Sequence, residues 1–272
     1  MRICLLTSTP GHPLLAATSA LLAGRHEVSA LTPDGSADPG ELADVYLLKA
    51  RTPAALALAR RLEAQGAPVL NSAASTELCQ DRVLMAELAE HAGLPFATTT
   101  AVDRLAALGP VEHPLVVKSR HSRRGDLVAR VTDAAELRAL ADHWPDEPVV
   151  VQDLAPTTGW DHKLWVIAGE VFAELRHSEL APGPRRSARR LTVPRPWAEL
   201  ALQVGEVFGL DVYGVDILDV AGEPLIVDIN AFPGIRGQAG APSALAALAL
   251  EVAAGRRRPR TVSAPAEERA AA

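Results

Sequence analysis

The first part of the chain alternates short apolar runs with longer segments whose apolar residues recur at helical spacing. The apolar runs predict strands at 2–7, 26–32, 44–50 and 67–71. The periodic segments predict helices at 14–24 and 52–66. This alternation is typical of a parallel sheet covered by helices. We therefore predict an α/β N-terminal domain with a parallel sheet over residues 1–72.

Beyond residue 72, predicted strands follow one another between the helices, which indicates antiparallel sheets. Strands are predicted at 113–119, 127–131, 147–154, 162–169 and 170–176, and a hairpin at 213–230. Helices are predicted at 81–91, 132–144, 195–209 and 242–255. We expect an α+β module of two subdomains, at 73–150 (with its leading helix) and 151–255. The charged, Ala- and Pro-rich tail, 256–272, is expected to be disordered.

The composition excludes several classes of protein. Hydrophobic residues make up 48% and charged residues 22%, as in ordinary globular proteins. The net charge of −6 argues against a nucleic-acid partner, and no apolar run is long enough to cross a bilayer. The N-terminal segment is interpreted as a strand and not as a signal peptide. The isolated Cys4 and Cys79 suggest reduced thiols, so we predict a cytoplasmic protein.

The basic residues are unevenly distributed. Arginines crowd the segments 120–124 and 185–190, whereas only Lys49, Lys118 and Lys163 are lysines among 27 basic residues. Lys118 ends a predicted strand beside a loop, where an ammonium group can reach a phosphate; a surface lysine is the alternative. Lys163 lies in an otherwise apolar strand, so solvent exposure explains it less well.

The stretch VDINAFPG, residues 227–234, ends an apolar strand on two oxygen-bearing side chains, Asp228 and Asn230. A two-residue hairpin turn at 221–222 would set Asp216 and Asp228 on opposite faces of the sheet. A three-residue turn at 221–223 would place them opposite each other, with Asn230 on the same face. Three hard oxygen donors so arranged suit Mg²⁺. The alternative is structural, with both side chains capping a turn.

Several segments together resemble the ATP-grasp superfamily, and most closely the ribosomal-protein glutamate ligase (RimK-like) group. In order, they are QDRVLMAELAEHAGLP, HPLVVK, VVVQDL, DHKLWVIAGEVFAELR and YGVDIL with PLIVDINAFPG. The resemblance covers roughly 71–240 and implies the ATP-grasp fold. It also implies an ATP-dependent carboxylate–amine ligase that forms an amide or peptide bond through an acyl phosphate.

The resemblance assigns roles to individual residues. The implied nucleotide-binding residues are Arg82, Lys118, Gln152, Asp153, Leu154, Asp161 and Lys163. The implied metal ligands are Asp216, Asp228 and Asn230, holding Mg²⁺ or Mn²⁺ as two ions. Arg176 and Lys163 are the implied catalytic residues, with Arg176 steadying the transferring phosphoryl group. The implied substrates are anionic small-molecule or peptide acids and amines, and a homo-oligomer is compatible with the resemblance.

Arg82 stands where the group usually has Lys. Two further departures from the family pattern keep a second function open. Asp228 stands where the group usually has Glu. The loop SRHSRRGD, 119–126, is rich in arginine instead of glycine, so guanidinium groups would replace backbone amides as phosphate donors. The segment DINAFPG, the loop after Lys118 and the lysine in KLWV also resemble inositol trisphosphate kinases, so the alternative is a kinase acting on a polyanionic small molecule. A non-catalytic ATP-binding protein would require the oxygen cluster to be broken.

Overall fold

The computed structural model describes residues 1–34 and 40–262, and its N-terminal sheet is parallel throughout, as predicted. The sheet has the order β2-β1-β3-β4. Its strands are β1 (Arg2–Leu6), β2 (Glu27–Leu31), β3 (Val45–Leu48) and β4 (Val69–Leu70), and helices α1 (Pro13–Leu22) and α2 (Pro53–Ala64) follow β1 and β3. Strand alternation sends Ile3 and Leu5 toward α1, and Cys4 and Leu6 toward α2.

A second, smaller sheet is antiparallel and has the order β5-β8-β6-β7. Its elements are β5 (Thr99–Val102), a 3₁₀ turn (Leu105–Ala107), β6 (Leu115–Ser119), β7 (Val128–Val131), α5 (Ala134–His143) and β8 (Val149–Asp153). The strand β5 was not predicted. β8 runs across the predicted subdomain boundary at 150/151, so the sheet ends at Asp153 and not at residue 150.

The third, larger sheet is also antiparallel, with the order β11-β10-β9-β12-β13. Its strands are β9 (Trp160–Ile167), β10 (Glu170–His177), β11 (Arg189–Arg190), β12 (Val212–Val220) and β13 (Glu223–Ala231). The remaining helices are α3 (Ala73–Leu78), α4 (Arg82–His91), α6 (Arg195–Val207) and α7 (Ala241–Ala253). The two antiparallel sheets confirm the predicted fold class.

The large sheet separates two cores. One face packs against α4 and α6, where Met85 and Val204 meet Leu164 and Ile229. The leading helix α4 therefore packs on the large sheet, although its sequence position suggested the small subdomain. On the other face, Trp165 joins a core with α1, α7 and the N-terminal sheet. Because one core packs on each face of the large sheet, the strands around the hairpin are held on both faces.

The predicted disorder of the tail from residue 256 is wrong for residues 256–262. Arg257 Nη2 and the Arg260 backbone N–H donate to the carboxylate of Asp211 at 2.7 and 2.8 Å, and Val262 N–H donates to Ser75 Oγ at 3.1 Å. Asp211 is almost fully buried. A buried carboxylate requires partners, so the charged segment is fixed by a contact that composition does not reveal. Residues 263–272 lie outside the described residues.

Candidate functional site

A cavity of about 950 Å³ lies between the small sheet and the large sheet. Its lining includes all of the predicted nucleotide-binding and catalytic residues and two of the three predicted metal ligands: Arg82, Lys118, Gln152, Asp153, Leu154, Asp161, Lys163, Arg176, Asp216 and Asp228. Asn230 is not part of the lining but contacts Asp228. The structure therefore brings together side chains that are up to 146 positions apart, between Arg82 and Asp228.

The lining also contains apolar side chains that were missed in the sequence. Val116 lies two residues before Lys118 on β6, and Leu218 lies two residues after Asp216 on β12, opposite Leu225. Side chains two apart on a strand share a face, so the same alternation that placed the charged groups would have found these neighbours. Both sheets therefore present apolar side chains to the cavity beside the charged groups, which suits a planar base next to its phosphates.

Lys118 bridges the two sheets. Its side chain is 7% exposed, and Nζ donates to the main-chain carbonyl of Val227 at 2.8 Å. Burial lowers the pKa of Lys118 to about 8, while the nearby Asp228 carboxylate raises it. An ammonium group held by one carbonyl keeps further donors for an anionic ligand. The surface-lysine alternative for Lys118 is excluded by this burial.

Arg82 is buried at the N-terminus of α4 with one guanidinium nitrogen unpaired. Nη1 donates to Ser119 O at 2.6 Å and to Asp126 Oδ2 at 2.8 Å. Nε has no hydrogen-bond partner and lies 3.8 Å from Asp228 Oδ1. An orphaned buried donor is costly, so Arg82 presents an unused N–H beside the carboxylates where an anionic group would satisfy it.

The hairpin follows neither of the two predicted registers completely. The turn has two residues, with Val220 opposite Glu223 and positive φ at Ala221 and Gly222. A register shift at Asp216/Ile217 then leaves Val227 as an extra residue, a β-bulge, and this places Asp216 opposite Asp228. The turn thus has the length that would have separated the two acids, and the bulge reunites them.

Asp216 and Asp228 share the cavity face with Lys163. Lys163 lies across from Asp216 in the neighbouring strand, and its Nζ is 2.5 Å from Asp216 Oδ2. Burial alone would lower the pKa of Lys163, but the carboxylates of Asp216, Asp161 and Asp228 together outweigh burial and the pKa is raised. Burial raises the pKa of Asp216, Lys163 opposes the rise and Asp228 adds to it. The basic partner that the hairpin lacks therefore comes from β9.

These residues fit a divalent cation by the chemistry of their donors. Two facing carboxylates repel each other, which a cation between them would relieve. Asn230 Nδ2 donates to Asp228 Oδ2 at 3.0 Å, and its amide oxygen remains as a third hard donor. Over the described part of the chain, no group of three or more His, Cys, Asp or Glu residues is arranged to hold a metal. The proposed set therefore depends on the amide of Asn230.

Arg176 and Asp161 lie opposite each other on β10 and β9, on the same face as Lys163. Arg176 Nε is 2.5 Å from Glu174 Oε1, and its guanidinium stacks over Trp165 with 5.0 Å between Cζ and the ring centroid. Asp161 Oδ2 is 3.9 Å from Lys163 Nζ. Acidic and basic side chains therefore lie side by side on this face of the sheet, from β10 across β9 and β12 to β13.

The segment Gln152–Leu154 ends β8 at the edge of the cavity. Gln152 is buried, and its Nε2 donates to Thr99 Oγ1 at 2.9 Å. The Leu154 N–H donates to Pro114 O at 3.0 Å, and Asp153 pairs with His113 at the surface. The backbone N–H of Leu154 is therefore used within the protein.

The two arginine clusters differ in their position. Arg120 pairs with Asp81 and Arg123 with Glu147, and the lining of the cavity contains no residue of 120–124 among those the structure describes. The expectation that this loop supplies guanidinium donors to phosphate is therefore wrong for this conformation. Residues of the second cluster, Arg185 among them, do line the cavity.

Lys49 had no predicted role, yet it holds the loop that follows the hairpin. Its Nζ donates to Phe232 O at 3.0 Å and to Pro233 O at 3.1 Å. Burial lowers the pKa of Lys49 to about 8, with Arg51 and Arg236 adding to the effect. The three lysines of the chain therefore all contact the hairpin or its C-terminal loop. The scarcity of lysine in the sequence was the one signal that could have drawn attention to Lys49.

Comparison with known proteins gives consistent matches. Residues 91–244 match the family model of the RimK-like ATP-grasp domain. The chain is 29% identical over 198 residues to the probable alpha-L-glutamate ligase of Aeromonas salmonicida (strain A449), covering 66% of this chain and 65% of that protein. It is 27% identical over 194 residues to the ribosomal protein bS6–L-glutamate ligase of Salmonella newport (strain SL254), covering 65% and 64%.

Solved structures share the fold. The RimK domain ATP-grasp protein from Sphaerobacter thermophilus DSM 20745 superposes with a TM-score of 0.73 at 24% identity, over 92% of this chain and 100% of that chain. The D-alanine–D-alanine ligase from Bacillus anthracis, complexed with ATP, gives 0.72 at 16% identity, over 94% and 100%. No described helix has the length and apolar character needed to cross a bilayer. The aligned segments span 65% and 64% of the lengths of the two glutamate ligases.

Proposed function

The chain belongs to the RimK-like ATP-grasp family, and on that premise we propose that it is an ATP-dependent carboxylate–amine ligase. The observation that carries the proposal is the facing pair Asp216 and Asp228, with Lys163 bonded to one acid, inside a cavity to which both sheets contribute apolar side chains. This arrangement offers a position for a base, for anionic phosphates and for a cation on adjoining surfaces.

The first half of the proposed reaction is phosphoryl transfer. A carboxylate oxygen of the acid substrate attacks the γ-phosphorus of ATP, and the bond to the bridging oxygen breaks to release ADP. Lys118 and Arg82 bind phosphate oxygens with their free N–H groups, and Arg176 steadies the transferring group. Mg²⁺ held by Asp216, Asp228 and Asn230, as two ions, would neutralise phosphate charge.

The second half forms the amide. The nitrogen of the amine substrate attacks the acyl carbon of the acyl phosphate, the C–O bond breaks, and inorganic phosphate leaves as the nitrogen loses a proton. Lys163 favours the ionised form of Asp216 and holds it in place through both steps. Burial between two sheets limits access of water, which would otherwise hydrolyse the acyl phosphate.

Glutamate is the first amine substrate to test, because two relatives carry the name of glutamate ligases. The acid substrate would be a peptide or small-molecule carboxylate. Arg185 and Arg186, which line the cavity, favour an acidic one. The N-terminal α/β domain lies against the large sheet and would complete the substrate site.

The test is release of inorganic phosphate from ATP with Mg²⁺, using a panel of carboxylates and peptides with and without glutamate. Phosphate release that requires both the acid and the amine, with a matching condensation product in the mass spectrum, supports ligation. Transfer of phosphate to a polyol such as an inositol phosphate would replace the proposal by the kinase alternative. Lys118→Met, with its melting temperature measured, provides the matched inactive control.

A further inference from the structure

The guanidinium group of Arg82 lies between the carboxylates of Asp126 and Asp228. Its Nη1 donates to Asp126 Oδ2 at 2.8 Å, and its Nε lies 3.8 Å from Asp228 Oδ1. Asp126 belongs to the loop between β6 and β7 of the small sheet, whereas Asp228 belongs to β13 of the large sheet. Arg82 is therefore bonded to an acid that has no role in the proposed reaction, and lies beyond hydrogen-bonding distance of a proposed metal ligand.

The loop between β6 and β7 is bonded to the N-terminus of α4, where Arg82 lies. Arg120 of this loop pairs with Asp81 through both carboxylate oxygens, at 3.1 and 2.8 Å, and its carbonyl accepts from the Arg82 N–H at 2.9 Å. Gly125, with a φ of +76°, turns the chain before Asp126. The carboxylate of Asp126 is therefore held beside Arg82 by a loop that is itself fixed to α4.

The bond to Asp126 competes with an ion pair between Arg82 and Asp228. Arg82 is buried, and opposite charges attract each other more strongly where water is excluded. Without the charge of Asp126, Nη1 would keep only the neutral carbonyl of Ser119. Asp228 would then be the one carboxylate left that lies in ion-pair range of Arg82 among the described residues. A shift of about 1 Å would bring the pair to the length of a charged hydrogen bond.

An ion pair between Arg82 and Asp228 would interfere with the proposed metal site. Asp228 faces Asp216, and the two carboxylates are offered to a cation together with the amide oxygen of Asn230. A guanidinium group bonded to Asp228 would occupy one of the oxygens that Mg²⁺ needs, and would place a second positive charge beside the ion. Asp126 is absent from the cavity lining that the structure describes, so it affects the site through Arg82.

We propose that Asp126 is a positioning residue of the metal site: by holding Arg82, it keeps Asp228 free for the cation. The inference rests on the metal site of the proposed function. The same bond leaves Arg82 Nε, which has no partner among the described residues, available to a phosphate oxygen beside that cation. The fork of a guanidinium group can bind an acid with one nitrogen and a phosphate with another, whereas the donors of a lysine radiate from a single nitrogen.

The experiment is titration of the full chain with Mn²⁺ alone, as a paramagnetic substitute for Mg²⁺, measured by the electron paramagnetic resonance signal of free Mn²⁺. The variants are Asp126→Asn, which keeps the shape, and Asp126→Ala, which removes the acceptor. Glu147→Gln is the matched control, because Glu147 pairs with Arg123 of the same loop at 2.7 Å. Its side chain is 14% exposed, against 15% for Asp126. Asp126→Asn is also made in an Arg82→Met background, and all melting temperatures are measured.

We expect both Asp126 variants to bind Mn²⁺ about tenfold more weakly than the wild type, and Glu147→Gln to bind it as the wild type does. In the Arg82→Met background, Asp126→Asn should have no effect, because the group through which Asp126 acts is gone. Unchanged Mn²⁺ affinity in both Asp126 variants, or an equal loss in Glu147→Gln, would overturn the inference. The same loss in the Arg82→Met background would also overturn it, since Asp126 would then act by its own charge.

The outcomes also separate this inference from the proposed function. Wild-type protein that binds no Mn²⁺ would overturn the metal site and this inference together. Wild-type protein that binds Mn²⁺, with unaltered binding in the Asp126 variants, would overturn this inference alone. Failure of the phosphate-release assay would overturn the ligase reaction instead, since Mn²⁺ binding is measured without turnover.

Discussion

The ammonium group of Lys118 donates a hydrogen bond to the main-chain carbonyl of Val227, with 2.8 Å between Nζ and O. Lys118 belongs to the small sheet and Val227 to the hairpin of the large sheet, so the bond joins the two walls of the cavity. Val227 is the bulged residue and has no partner on β12. The bulge that brings Asp228 opposite Asp216 thus also supplies the acceptor that positions the proposed phosphate-binding lysine.

Replacement of Lys118 should weaken nucleotide binding. Lys118→Met removes a charged donor to phosphate, so we expect the free energy of ATP binding to fall by about 1–3 kcal/mol. Lys118→Arg retains the charge and should lose less. Isothermal titration with ATP and Mg²⁺ measures both variants. Unchanged affinity in Lys118→Met, with the fold intact by circular dichroism, would mean that Lys118 does not contact the nucleotide.

Neutralising Asp216 should destabilise the protein, whereas neutralising Asp228 should not. Asp228→Asn relieves repulsion from Asp216 and should leave the melting temperature unchanged or raised. Asp216→Asn leaves Lys163 without its 2.5 Å partner and should cost about 1–3 kcal/mol of unfolding free energy. Both variants should lose ligation activity. Differential scanning calorimetry and the phosphate-release assay measure the two effects, and activity surviving in both variants would remove the metal assignment.

Lys49 should make stability depend on alkaline pH. Its pKa is near 10.5 in the unfolded chain and about 8 in the folded protein. Between these values the unfolded chain holds a proton that the folded protein lacks, so stability rises with pH across that window. Relative to Lys49→Met, the gain is up to about 1.4 kcal/mol per pH unit. Urea unfolding of both proteins at roughly pH 7.5, 8.5 and 9.5 measures it; parallel curves would contradict the lowered pKa.

Truncation should separate the docked part of the tail from the rest. Removing 256–272 leaves the buried carboxylate of Asp211 without Arg257 and without the Arg260 N–H, at an expected cost of about 1–3 kcal/mol. Removing only 263–272 keeps every one of these contacts and serves as the control. Thermal unfolding of the two truncated chains measures the difference, and equal melting temperatures would mean that the contacts contribute nothing to stability.

The fold and part of the site could be predicted from local patterns, whereas other lining residues, Arg82 and Arg176 among them, were assigned only by the family resemblance. Alternating strands and helices give the parallel sheet, and period-two alternation places Lys118, Lys163 and Asp216 on strand faces. In each of these strands the side chains of one face pack on a helix, so the side chains that alternate with them face the cavity. The family resemblance then orders these segments, and the comparison with known proteins confirms it.

The register of the hairpin could not be predicted, because its cause is tertiary. Ile226 is fixed by contacts with a segment 130 positions earlier: its N–H donates to Pro95 O at 2.7 Å, and its carbonyl accepts from Ala97 N–H at 2.8 Å. Ile226 is held by these bonds, and the carbonyl of the next residue, Val227, accepts from Lys118 Nζ. Val227 is therefore left unpaired with β12. The turn residues alone favour a regular hairpin. The tail contact with Asp211 was missed for the same reason.

The convergence of Lys49, Lys118 and Lys163 on one hairpin has a consequence for chemical probing. The chain carries no other side-chain amine. An amine-selective reagent can therefore label, besides the N-terminus, only groups that contact the hairpin or its loop. ATP, a metal ion or an amino acid would each protect the lysine nearest to which it binds, and so locate that ligand in the site. Mass spectrometry measures this protection without any mutation of the protein.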